Sequence, residues 1–132
     1  MSDSRDVGVW LRNAQENPQV ADLAFGAGLF NPCLYNVQQA VEKALKAVIV
    51  SRDQDVIRTH RIVELSDQLR TMGISTGLTD EEIELLDSIF RPTRYPPDSA
   101  LPESMPDKDT SMQFLEIARR VLAWARHSLN LE

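Results

Sequence analysis

The stretch from Tyr35 to Val50, YNVQQAVEKALKAVIV, constrains the chain more than any other. Val37, Val41, Leu45, Val48 and Ile49 return at three- and four-residue spacing, the repeat of a helix with one apolar face. Ala40, Ala44 and Ala47 keep that helix slim and its propensity high. Gln39, Glu42, Lys43 and Lys46 share the same spacing and gather along another face. The pattern predicts a central packing helix that carries a polar stripe. Taken alone, the stripe is a solvated face, with Glu42 and Lys46 forming an i,i+4 pair worth a few tenths of a kcal/mol.

Upstream, Ser2 and Ser4 offer caps, and Asp3 and Asp6 suit a helix start. Val7, Trp10, Leu11 and Ala14 begin an amphipathic run that Val20, Ala21, Leu23, Ala24 and Phe25 continue nearly in phase. Pro18 therefore kinks one long helix rather than opening a second. Gly26, Gly28, Asn31 and Pro32 turn the chain into the central helix. After a polar loop over 51–59, with Thr59 placed as a cap, Ile62, Val63, Leu65, Leu69 and Met72 form the next apolar face. Residues 73–77 then break the helix. Thr79 with Glu82 makes a capping-box pattern ahead of Ile83, Leu86, Ile89 and Phe90. Five of the seven prolines fall between Arg91 and Pro106, a stiff loop. Asp107 or Asp109 starts a last helix whose apolar face runs through Phe114, Ile117, Ala118, Val121, Leu122, Ala125 and Leu129. No repeat and no strand-like alternation occurs. The expected fold is all-α, one domain over 1–132: an up-and-down bundle of about five helices with a Pro-rich crossover loop.

Composition narrows the function. A net charge of −6 argues against tight non-specific nucleic-acid binding, and no DNA partner is expected. The single cysteine, Cys33, excludes an internal disulfide and fits a reducing compartment. Two histidines and one cysteine match no zinc-ligand spacing, so neither metal nor cofactor is expected. The N-terminus lacks a signal-peptide layout, and the apolar run near 44–50 is too short to span a bilayer, which together place the protein in the cytoplasm without a membrane partner. No phosphate-cradling glycine loop and no Ser/His/Asp arrangement is present.

The order of motifs is informative: QxxEKxLKA over Gln39–Ala47, a His60-led helix, an Arg94-Tyr95-Pro96 turn and a long final helix. From about Trp10 to Trp124 this order resembles the HEPN family of small helical proteins. Arg94 sits among Pro92, Pro96 and Pro97, where a held guanidinium suits bidentate recognition of phosphate or carboxylate. Tyr95 could stack on a base or donate a hydrogen bond. The plainer alternative has Arg94 paired with an acid and Tyr95 filling the bundle end. His60 could work as an acid or base, or simply cap its helix. The resemblance implies that the Arg-Tyr-Pro segment lies near a nucleotide or RNA groove, with Lys43, Lys46 and His60 facing the ligand beside it. It also implies a homodimer and a minimal nucleotidyltransferase partner, in a pair of the toxin–antitoxin kind.

Active members of the wider HEPN group are metal-independent ribonucleases, usually recognised by Arg-x4–6-His. No histidine follows Arg91 or Arg94 at that distance. Arg120 and His127 make a formal match, but within one helix their Cα atoms stand about 10 Å apart along the axis. Three functions remain open. The chain is a nucleotide- or RNA-associated accessory module, a ribonuclease toxin using Arg120 with His127 or His60 with Arg94, or a non-catalytic dimerisation module.

Overall fold

The structure, a computed structural model, describes residues 7–89 and 106–129. Five helices follow in order: α1 (Val7–Gly26), α2 (Phe30–Ser51), α3 (Ile62–Thr71), α4 (Asp80–Ser88) and α5 (Lys108–Ser128). No strand occurs among the described residues, and the all-α reading of the sequence holds.

Helix α2 is the spine. It packs against α1 along much of its length and against α5 on another side, and α1 and α5 also meet. Val37, Val41, Ala44, Leu45, Val48 and Ile49 are fully buried, as their spacing requires. Phe114, Ile117, Ala118 and Val121 of α5 close the core, with Leu11, Ala14 and Ala21 of α1. Ala14 and Ala21 of α1 and Ala40, Ala44 and Ala47 of α2 are fully buried, small side chains that suit closely packed helices in a core poor in aromatic residues. Helix α1 runs unbroken through Pro18, as the continuous apolar phase implies.

Helices α3 and α4 form a second layer. Helix α3 packs on α2, and α4 packs chiefly against α3. The start of α3 departs from expectation. Arg61, not Thr59, occupies its N-cap and gives no side-chain cap. Thr59 is otherwise engaged: its hydroxyl meets the Glu64 carboxylate and accepts the Arg61 N–H. The cap comes instead from α4, where Asp87 accepts the N–H groups of Ile62 (2.6 Å) and Val63 (3.0 Å) through its two carboxylate oxygens. A carboxylate at a helix N-terminus meets both the unpaired donors and the positive end of the dipole.

The remaining caps follow the sequence. Thr79 and Glu82 form the reciprocal capping box of α4, and Asp107 accepts from the Thr110 N–H at the start of α5. Gly28, Gly73 and Gly77 hold positive φ at the turns after α1, after α3 and before α4. Trp124 of α5 donates its indole N–H to the Ser75 carbonyl at 2.8 Å, fastening the α3–α4 loop to the bundle.

Candidate functional site

The polar stripe of α2 is not a solvated face. The Glu42 side chain is only 5% exposed, and one of its oxygens, Oε2, receives two donors. Lys46 Nζ approaches it at 2.7 Å from one turn along α2, and His60 Nδ1 at 2.9 Å from the segment leading into α3. A carboxylate paired with lysine only accepts, so the His60 proton on this bond belongs to Nδ1. In a neutral imidazole that choice leaves Nε2, on the far side of the ring, as the acceptor. The imidazole is 74% exposed, so a buried group sets the orientation of a largely exposed ring.

The second Glu42 oxygen, Oε1, is buried without a hydrogen-bond partner. Gln38, fully buried one turn earlier on α2, donates its amide to the His60 carbonyl at 3.1 Å. The same α2 face therefore grips His60 twice, by backbone and by ring. Both contacts link residues about twenty apart in sequence, which helical spacing alone does not reveal. The His60 ring goes to Glu42 rather than to a free amide of its own helix.

On the α1 side, Lys43 Nζ donates to Asn17 Oδ1 at 3.0 Å, and Asn17 donates in turn to Asn36 Oδ1 at 2.8 Å. Among the described residues no carboxylate pairs with Lys43, so its charge is held by a neutral amide. Lys46 is 12% exposed and lies 5.7 Å from the centroid of the Trp10 ring. That distance suits a cation–π contact. Trp10, Lys46, Asp55, Ile57 and Arg58 are among the residues lining a groove of about 510 Å³ between the start of α1, the end of α2 and the segment that follows it. The volume lies within the range of small-molecule sites. Apolar spacing assigns Trp10 to the core and gives Arg58 no role. A tryptophan that meets a lysine thirty-six residues on has no local signature.

The structure thus unites His60 and Lys46 on Glu42, with Lys43 one residue along α2. Arg94 and Tyr95 lie outside the described residues. Arg120 of α5 pairs with Glu82 of α4. His127 stands in the last turn of the same unbroken α5, seven residues on. Burial pushes the Glu82 carboxyl upward, but the Thr79 N–H and the Arg120 guanidinium outweigh it and hold it below its ordinary value. Cys33 is buried in the core, where burial first, and the Asp22 charge second, raise its thiol. Such a thiol is a packing residue, not a nucleophile. No cluster of three or more His, Cys, Asp or Glu side chains suited to a metal occurs among the described residues. No described helix is long and apolar enough to cross a membrane.

Three helices with two more packed on them, and a polar α2 face gripping a histidine from the following segment, define a small all-α domain rather than a purely apolar bundle. The HEPN domain matches residues 7–128, and the chain belongs to the HEPN domain family. The crystal structure of TT1696 from Thermus thermophilus resembles it at 29% identity, with a TM-score of 0.72, covering 97% of this chain and 99% of that one. The archaeal HEPN homologue ST0689 superposes with a TM-score of 0.69 at 22% identity, covering 96% of this chain and 98% of its own. No curated protein gives a significant match.

Proposed function

We propose that this chain is a nucleotide- or RNA-associated accessory module that works as a homodimer beside a minimal nucleotidyltransferase, in a pair of the toxin–antitoxin kind. The observation that carries this reading is the buried Glu42 carboxylate, which fixes Lys46 and His60 together on the α2 face. A carboxylate this deep is costly unless its partners are held in return. Lys43, held by a neutral amide, keeps its full charge for phosphate, and the Trp10 groove offers an aromatic wall for a base. Arg94 and Tyr95 belong to the same binding function in this reading.

A thermal-shift panel of ATP, GTP, AMP and short RNA tests it, run on wild type, Lys43→Ala and Arg94→Ala. A ligand at about a hundred times its dissociation constant adds about 2.7 kcal/mol, or about 10 °C for a chain of this length. A shift lost in both variants supports the reading, and no shift with any ligand refutes it. Light scattering checks the assembly, for which a mass twice the 14.9 kDa of one chain is expected.

One observation favours a second reading, a metal-independent ribonuclease. An imidazole held at Nδ1 by a carboxylate is arranged for proton transfer at Nε2, and Arg94 would stabilise the developing phosphorane. The version built on Arg120 and His127 has less support, because Glu82 already engages the Arg120 guanidinium. RNA cleavage in EDTA that survives His60→Ala and His127→Ala together excludes both versions. Dimerisation with no ligand and no cleavage leaves the non-catalytic dimerisation module.

A further inference from the structure

A second pocket lies away from the α2 face, between the end of α3, the loop that follows it and the start of α4. It encloses about 310 Å³ and is lined by Ser66, Arg70, Ile74, Ser75, Thr76 and Ile83 among others. The chain carries 20 acids against 14 bases, yet among the described residues no carboxylate lines this pocket. Ser66 and Arg70 are four residues apart on α3 and so share a face. Arg70 meets Asp67 through Nη1 at 3.0 Å, which leaves the other edge of its guanidinium to donate elsewhere.

The hydroxyls lining the pocket are oriented by their own surroundings. Ser75 Oγ accepts the Gly77 N–H at 3.3 Å, and Thr76 Oγ1 accepts the Leu78 N–H at 3.1 Å. Each hydroxyl has thereby filled an acceptor position, and its own proton remains to donate. Ser66 Oγ is the telling group: the residue is 5% exposed, and the hydroxyl has no hydrogen-bond partner. A buried hydroxyl left unsatisfied costs stability, which alanine at the same place would avoid. The set is one guanidinium, shared with Asp67 on its outer edge, and three hydroxyl donors, with apolar walls.

We propose that this pocket binds a phosphate-class oxyanion, free or as the monoester of a small molecule, with Arg70 supplying charge and Ser66 the buried hydrogen bond. The proposal is independent of the α2 site. Arg70 gives selectivity for the dianion through paired N–H donors, and Ser66 adds a buried hydroxyl at the pocket wall whose hydrogen bond no protein group completes. Asp67 competes for the same guanidinium and weakens the site.

The test is a backbone-amide NMR titration of the full chain with inorganic phosphate, phenyl phosphate and acetate at constant ionic strength. Saturable shifts at Ser66, Ser75, Thr76 and Gly77 are expected with both phosphates, and weaker ones with acetate. Arg70→Gln is expected to weaken phosphate by about tenfold or more, and Asp67→Asn to tighten it. Ser66→Ala is expected to weaken phosphate several-fold while leaving the melting temperature unchanged or higher, since it removes an unsatisfied group. Shifts with phenyl phosphate alone identify an ester as the ligand, and equal shifts with both identify the free ion. No saturable shift with either phosphate, shifts that persist unchanged in Arg70→Gln, or tighter binding of acetate overturns the proposal.

Discussion

Glu42→Gln is the perturbation that most directly questions the α2 site. The amide can still accept from Lys46 through its oxygen, but the bond loses its ionic character, at a cost of about 1.5–3 kcal/mol. The amide NH2 then falls where Oε1 stands, a buried position with no partner, adding about 1–3 kcal/mol. The His60 bond is left out of the sum, because that ring is 74% exposed and solvent screens it. At the lower end of both ranges a loss of about 3 kcal/mol results. With about 2.1 cal/mol/K of unfolding entropy per residue over 132 residues, each kcal/mol moves the midpoint by about 3.6 °C, so a fall of about 10 °C is expected. Calorimetry on Glu42→Gln, Lys46→Met and the double variant Glu42→Leu/Lys46→Met measures it. The double variant is expected to recover most of the loss, since two apolar groups leave no charge stranded and a methionine suits the Trp10 ring. A Glu42→Gln midpoint within about 1 °C of wild type, or a double variant as unstable as the single, would refute the account of Glu42 as a buried hub.

His60→Ala is expected to cost under about 1 kcal/mol of stability, given the exposure of its ring, while abolishing the ligand response or cleavage assigned to the α2 face. Parallel melting and binding curves on the one variant check this separation. Asp87→Ala removes both N-terminal acceptors of α3 and is expected to cost about 2–4 kcal/mol, with amide exchange rising first at Ile62 and Val63. Glu82 titrates below its ordinary value in the folded chain, despite burial, because the Thr79 N–H and Arg120 hold the charged form. Its stabilisation is therefore fully present above the ordinary carboxyl value near pH 4.3 and is lost as pH falls through the lower folded value. The lead in melting temperature of wild type over Glu82→Gln is expected to be constant from about pH 6 upward and to shrink on acidification below about pH 4.

Local chemistry was the legible part of this fold. The apolar phase across Pro18, the Thr79–Glu82 box and the Asp107 cap depend on residues within one or two turns, and each stands where its spacing places it. The α2 face was legible only as a stripe. Whether Glu42 meets solvent depends on what covers it, and His60 and Trp10 arrive from other elements. The Asp87 cap was hidden for the same reason, since its target lies 24 and 25 residues earlier. Ser66 carries no signal in the α3 pattern, and its burial depends on the loop and α4 residues that line the pocket with it. Arg94 and Tyr95, singled out by their prolines, lie outside the described residues.

The two-layer build has a consequence for how the α2 site can be governed. Helix α4 leans on α3, and α3 reaches the core through α2, with the Trp124–Ser75 bond as a further latch. Ile62, Leu65, Leu69, Ile83 and Leu86 of this layer share one core with α1, α2 and α5, and Glu82 meets Arg120 of α5, so opening the layer would be a partial unfolding. Opening it would draw the His60 segment off Glu42 and Gln38, so the imidazole is correctly oriented only while the layer is docked. A ligand that binds the docked layer alone, even at the distant Ser66 pocket, would hold the histidine in place through thermodynamic linkage. The segment that opens the α3–α4 layer thus carries one half of the α2 site, which stands only while that layer is packed.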